Sequence, residues 1–147
     1  MEKIIIGNKQ DNINYQFRET CFGIVEINDE FYLTSKNNEL SLIGGGLEQN
    51  EDHFECLKRE FMEESGLTIT SIKEFITIDC YWLTRDKINM NSLANFYIVT
   101  VSSQIKEPTE NDSKLVKVPN NKIIDNLALP YQKKAIELYL KGKKTVD

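Results

Sequence analysis

The sequence is short of the residues that build soft-metal sites and disulfide frameworks. It has one histidine, His53, and three cysteines, Cys21, Cys56 and Cys80, in 147 residues. The odd number and the absence of any CxxC spacing exclude a stapled secreted scaffold and a structural zinc site. The cysteines are expected to be reduced, mostly buried thiols of a cytoplasmic protein. Only three prolines occur, Pro108, Pro119 and Pro130. No repeat and no Pro/Gly/Ser-rich tract divides the chain, so one domain over residues 1–147 is expected. No apolar run approaches the ~20 residues of a membrane-spanning helix, and Ile4-Ile5-Ile6 is far too short for a signal sequence. Neither a membrane partner nor export is expected.

Positive charge is scarce as well. Eighteen Lys+Arg stand against 23 Asp+Glu, a formal net charge of -5. That field repels a polyanion and argues against electrostatic binding of long nucleic acid, while small anions bridged by a metal stay compatible with it. The rest is ordinary: 40% apolar and 28% charged residues, at a length that buries roughly two-thirds of its unfolded surface. The sequence carries no signal for an oligomeric state.

Residues Cys21–Ile27 and Phe31–Ser35 read as strands about a turn at Asn28-Asp29-Glu30. Asp52–Ser65 reads as a helix with Phe54, Leu57 and Phe61 as its apolar stripe and Gly66 as its stop. Thr68–Leu83 and Leu93–Ser102 follow as longer strands, the second with both faces apolar enough to be buried. Gln104–Ser113 is polar and reads as an exposed loop, before a short strand over Lys114–Val118. Pro130 opens a closing helix that Gly142 is expected to end. The Lys141, Lys143, Lys144 group there would complement the helix dipole. The order predicts an α/β (α+β) fold with helices on a mixed β-sheet.

The chemistry lies between Gly44 and Leu67. Glu60, Glu63 and Glu64 are spaced i, i+3, i+4, so on a helix their carboxylates project from one face and repel one another. Such a cluster invites a compensating charge, and carboxylate oxygens without thiolate or imidazole point to Mg²⁺ or Mn²⁺. The glycine run Gly44-Gly45-Gly46 is read as a tight turn that presents a carbonyl or an amide to the same centre. A metal so held would bridge phosphate oxygens and activate water as nucleophile. One carboxylate would take the water's proton, with Arg59 orienting the glutamates.

The same residues resemble the Nudix box, G-x5-E-x7-R-E-U-x-E-E-x-G-U with U apolar. Gly45, Glu51, Arg59, Glu60, Phe61, Glu63, Glu64, Gly66 and Leu67 occupy every fixed position. A solvated helix face is the ordinary reading of an isolated acidic triplet, and the complete box reverses it. The resemblance implies the Nudix fold and metal-dependent hydrolysis of a nucleoside diphosphate linked to another moiety. It implies Glu60 and Glu64 as main metal ligands, Glu63 as ligand or general base, and the Gly44 carbonyl completing the shell. The catalytic set is then Glu63, Glu64 and Arg59. Two positions depart from many members: Ile43 stands where proline precedes the glycines, and Asn50 where glycine precedes the first glutamate. Asn is the non-glycine residue best suited to the left-handed region, so the turn is expected to survive.

Some family enzymes draw a further acid from a late loop, where Glu107, Glu110 and Asp112 are available and Glu110 is central. Arg18 and Arg85, the only arginines outside the box, and Tyr81 are further candidates for substrate contact. Trp82, Phe31 and Tyr32 could also stack on a base, although strand aromatics ordinarily belong to the core. His53, in the first helical turn, is read as a surface or capping neighbour. The favoured substrates are nucleoside triphosphates or related small nucleotides, ahead of ADP-ribose or nucleotide sugars. A catalytically silent nucleotide-binding regulatory domain is the alternative.

Overall fold

Two pairs of asparagine-rich turn residues set the first half of the chain. In the computed structural model, which describes the backbone of residues 1–146 and the side chains of 1–102 and 106–143, Asn28 and Asp29 have φ of 53° and 63°, and Asn37 and Asn38 have 52° and 63°. Two successive positive φ values are what a two-residue hairpin turn with matched strand twist demands, and Asn and Asp tolerate them best. The pairs join β3 (Glu26–Ile27), β4 (Glu30–Lys36) and β5 (Glu39–Gly46) into antiparallel neighbours. Before them come β1 (Lys3–Ile6) and β2 (Gln16–Ile24). After them come α1 (His53–Ser65), β6 (Leu67–Leu83), β7 (Asn89–Ile105), β8 (Ser113–Pro119), α2 (Ile123–Asn126) and α3 (Pro130–Val146).

The described strands form one mixed sheet in the order β1-β6-β7-β2-β5-β4-β3, with β8 also pairing β4. Side-chain alternation sorts the apolar residues between its two faces. Cys21, Ile43, Tyr97 and Val99 meet Cys56, Leu57 and Phe61 of α1. Phe22, Leu42, Ile78 and Phe96 meet Tyr131, Ala135 and Ile136 of α3. The sheet is thus covered by a helix on each side, as expected for an α+β architecture.

Several expectations are corrected. The glycine run is not a bend: Gly44, Gly45 and Gly46 close β5 in extended pairing with Phe22, Cys21 and Thr20. Phe54 leaves the apolar stripe and is 48% exposed, while Cys56 joins Leu57 and Phe61 in the core. Gly142 does not end α3, which runs to Val146, because an interior glycine costs only about 1 kcal/mol of helix propensity. β7 extends to Ile105, leaving a shorter loop than the polar composition suggested. All three cysteines are free and buried. Among the described residues no helix is long and apolar enough to cross a membrane.

The sheet edge is tied to α3 by one carboxylate. Glu26 accepts from Tyr139 Oη at 3.1 Å, Asn120 Nδ2 at 3.2 Å and Lys143 Nζ; the side chain of Lys144 lies outside the described residues. Burial alone would raise the Glu26 pKa, but the hydrogen bonds from Lys143, Asn120 and Tyr139 outweigh it and hold the value below the usual carboxylate range. A depressed folded pKa gives stability that is present at neutral pH and lost as pH falls through the folded value. Glu26→Gln should therefore lower stability by about 1–2 kcal/mol at pH 7 and by little at a pH below the depressed folded value. Urea midpoints at the two pH values measure the difference.

Candidate active site

The acidic helix is held at both ends by local chemistry. At its start the Asp52 side chain accepts from Glu55 N at 2.7 Å while Glu55 Oε1 accepts from Asp52 N at 3.2 Å, a reciprocal cap that the Asp-x-x-Glu spacing encodes. Asn50, just before it, has φ of 65° and takes the left-handed geometry that glycine commonly supplies. At the far end Gly66 turns the chain at φ 71°. There a Cβ would stand 1.7 Å from the Lys106 carbonyl oxygen, so only glycine fits.

This framing turns Glu60 and Glu64 inward, 9% and 7% exposed, and leaves Glu63 half-buried. Glu64 Oε1 accepts from the Gly44 amide at 2.9 Å. Glu60 lies against Gly45, where a Cβ would stand 2.7 Å from its Oε1. The glycines thus serve close approach of strand to helix, and an amide is indeed presented to the acids.

Arg59 is the hub of the cluster. Its Nε and Nη2 donate to the two Glu51 carboxylate oxygens at 2.7 and 2.8 Å, and Nη2 also donates to the Gly46 carbonyl at 3.1 Å. Nη1 reaches Glu60 Oε1 at 2.9 Å, Glu63 Oε2 at 3.3 Å and Glu48 Oε1 at 3.6 Å. The fork holds Glu51 down to a pKa of about 2. The role of Glu51 was not read from sequence, although its fixed place in the box was the signal.

The loop after β7 is docked rather than free. Thr109 N and Glu110 N donate to the Met62 and Glu63 carbonyls at 3.3 and 2.9 Å, satisfying acceptors at the C-terminal end of α1. Glu110 is thereby set beside the cluster, where Lys36 Nζ reaches its Oε1 at 3.4 Å and Ser113 Oγ donates to its Oε2 at 2.8 Å. Desolvation lowers the Lys36 pKa, and Glu110 more than offsets this. Lys36 had no sequence signal; the sheet brings it here from the end of β4.

Of the remaining candidates, Arg18 is exposed on β2 with its guanidinium 3.2 Å from where a Gly46 Cβ would stand. Arg85 lies in the β6–β7 turn and lines a cavity with Trp82 and Pro130. Tyr81 is set apart from that cavity and meets Tyr15 edge-on at 5.1 Å. His53 is wedged between Tyr97 Oη at 2.6 Å and Glu19 Oε2 at 3.4 Å. Phe31 is core, at 0% exposure.

Burial is the largest influence on both inward glutamates. It raises the Glu60 pKa against the pull of Arg59. It pushes Glu64 up to about 8, with Glu60 and Glu110 adding to the effect and the Gly44 amide and Lys36 opposing it. Among the described residues no three acidic, cysteine or histidine side chains converge on one point; Arg59 takes Glu60 and Glu63, and the Gly44 amide takes Glu64. The donors nevertheless suit a hard divalent cation: all are carboxylate oxygens, and Gly45 keeps open the space that a Cβ would fill.

The family model described as NUDIX domain matches residues 18–138, from β2 through most of α3, and the chain belongs to that family. No curated protein matches it. Its fold is similar to a mutator MutT protein from Bacillus halodurans, at 19% identity and TM-score 0.67 over 82% of this chain and 80% of that one. It is likewise similar to a NUDIX hydrolase from Nitrosomonas europaea, at 19% identity and TM-score 0.68 over 87% and 91%. A MutT NUDIX hydrolase from Burkholderia pseudomallei gives 19% identity and TM-score 0.63 over 83% and 97%.

A raised carboxylate pKa has a measurable sign. Stability from Glu64 is full below its ordinary value of 4.5 and is lost as pH rises toward about 8. In chelator, the protein should lose several degrees of melting temperature between pH 5 and 8, and Glu64→Gln, which stays neutral, should not. Equal slopes for the two proteins would place Glu64 in water instead.

Proposed function

We propose that the protein is an Mg²⁺- or Mn²⁺-dependent pyrophosphohydrolase. It cleaves the diphosphate linkage of a small nucleotide, a nucleoside triphosphate or another nucleoside diphosphate derivative, by attack of water at phosphorus. The observation that carries this reading is the burial of Glu60 and Glu64 on one helical turn with too few cations to neutralise them. Glu60, Glu63 and Glu64 would hold the metal, with the Gly44 carbonyl and Glu110 as further oxygen donors. When bound, the ion supplies charge neutralisation at phosphate oxygens and acidifies water.

The chain's own groups do the rest. Arg59 holds Glu60 and Glu63 in position and keeps positive charge beside them. Glu63 or Glu64 accepts the proton of the attacking water. Lys36 balances Glu110, and Arg18 stands beside the glycine end of β5, where an exposed guanidinium suits a substrate phosphate. The cytoplasm is the proposed compartment, which three unpaired thiols fit.

Incubation with nucleoside triphosphates, ADP-ribose and nucleotide sugars, reading phosphate and pyrophosphate separately, tests the reading. Hydrolysis is expected only with Mg²⁺ or Mn²⁺, and Glu64→Gln should fold yet lose roughly 100-fold or more of turnover. Undiminished turnover in that variant, or saturable nucleotide binding without any product, would refute it; the second outcome is the one a silent regulatory domain gives.

A further inference from the structure

The two ends of the sheet are finished differently. At one end β3 has only two residues, and β8, beside β4, carries the exposed Lys114 and Lys117 and ends on Pro119. Charged side chains and proline are what keep a further strand from adding to an edge. At the other end β1 pairs only with β6, and three of its four residues are isoleucine. It has no proline, and its one charged side chain, Lys3, is drawn to Asp79 of β6 at 3.9 Å.

The ladder decides which backbone groups of β1 are left over. The Glu2 carbonyl accepts from Thr77 N at 2.8 Å, with Lys3 opposite Thr77 and Ile5 opposite Asp79. In a parallel pair, residues that bond to the neighbour alternate with residues that bond away from it. Glu2, Ile4 and Ile6 therefore face β6, and the N–H and C=O of Lys3 and Ile5 point outward. Ile5 is also 64% exposed, more than any other large apolar residue among those described. A row of free donors and acceptors beside an uncovered isoleucine is a template for another strand. An antiparallel second copy matches it. About a two-fold axis through Ile4, Lys3 of one copy faces Ile5 of the other, and the two exchange both N–H···O=C bonds at each end of the pairing. The charges agree as well: Lys3 then lies over Ile5 of the other copy, one strand from that copy's Asp79, so its stem covers the isoleucine and its ammonium meets a carboxylate.

We propose that β1 pairs antiparallel with β1 of a second copy of this chain, Lys3 opposite Ile5 across a two-fold axis, so that two eight-stranded sheets become continuous. A four-residue edge covers less than the roughly 800 Å² per partner of a stable complex, so the dimer forms and dissociates with concentration. β6, β7 and β2 separate β1 from β5 and the acidic helix. The pairing therefore leaves the candidate active site open and does not depend on what that site hydrolyses.

Two measurements on the intact chain test the pairing. Sedimentation from low micromolar to near-millimolar concentration should show the mass rising from that of a 17.0 kDa monomer toward twice that value. Amide exchange read residue by residue should find the Ile4 and Ile6 N–H groups slow at every concentration. Those of Lys3 and Ile5 should exchange fast in dilute solution and slow in proportion to the share of chain dimerised. Ile5→Pro removes only an outward donor, and Ile5→Lys keeps the strand while setting a like charge against Lys3 of the other copy. Both variants should stay monomeric throughout, and Ile5→Lys should keep its melting temperature within a few degrees. A chain that is monomeric over the whole range, a dimer in which the Lys3 and Ile5 amides stay unprotected, or a dimer unaffected by Ile5→Lys overturns the pairing. Assembly that continues beyond two chains overturns its two-fold closure. Amide exchange in the unaltered chain decides the matter even if Ile5→Pro fails to fold.

Discussion

Negative charge held where water screens it poorly is the constraint on which the rest of this structure depends. Glu48, Glu51, Glu60, Glu63, Glu64 and Glu110 are gathered around two side-chain cations, Arg59 and Lys36. Only Glu51 is fully satisfied by a two-toothed guanidinium contact. The others share what is left, and the inward pair is driven toward protonation by burial. Stability alone gives no reason to keep such a cluster, since apolar residues would pack the same helix face at lower cost. Under the proposed function, binding of a divalent cation would supply the reason.

The fold maintains this imbalance by leaving side chains out of β5. Its glycine end lets α1 approach until Glu60 lies where a Cβ would be and Glu64 reaches a backbone amide. The reciprocal cap at Asp52 and Glu55 and the glycine turn at Gly66 fix the length of the helix. The loop that follows β7 then completes the far end by donating two amides to helical carbonyls, which places Glu110 by backbone bonds rather than by its own side chain. Main-chain hydrogen bonds thus set where Glu110 stands, and the Arg59 guanidinium sets Glu51, Glu60 and Glu63.

The helix and its acids were legible in the sequence because their spacing is local: 3.6-residue periodicity, a glycine stop and a contiguous motif lie within 23 residues of one another. The hairpin turn was legible because Asn and Asp favour positive φ. β5 was not, since three successive glycines read as a breaker until β2 is there to pair with them. Lys36 and the docking of Glu110 were hidden for a related reason. They depend on β4 pairing with β8 and on a loop meeting the end of α1, contacts between residues far apart in sequence that no local pattern encodes. Tyr81 and Trp82 show the limit most plainly: neighbours on β6, they face opposite sides of the sheet, and only the tertiary structure tells which one lines a cavity.

The most direct test of the charge imbalance is calorimetric titration of the intact protein with Mn²⁺ at pH 7 in buffers of different ionisation enthalpy, which counts protons released on binding. The expected result is one tight site that releases up to about one proton, because Glu64 binds as the carboxylate, with affinity lost in the Glu60→Gln, Glu64→Gln double variant. Equal Mn²⁺ affinity in the double variant and the unaltered protein would contradict a cation held by these buried glutamates.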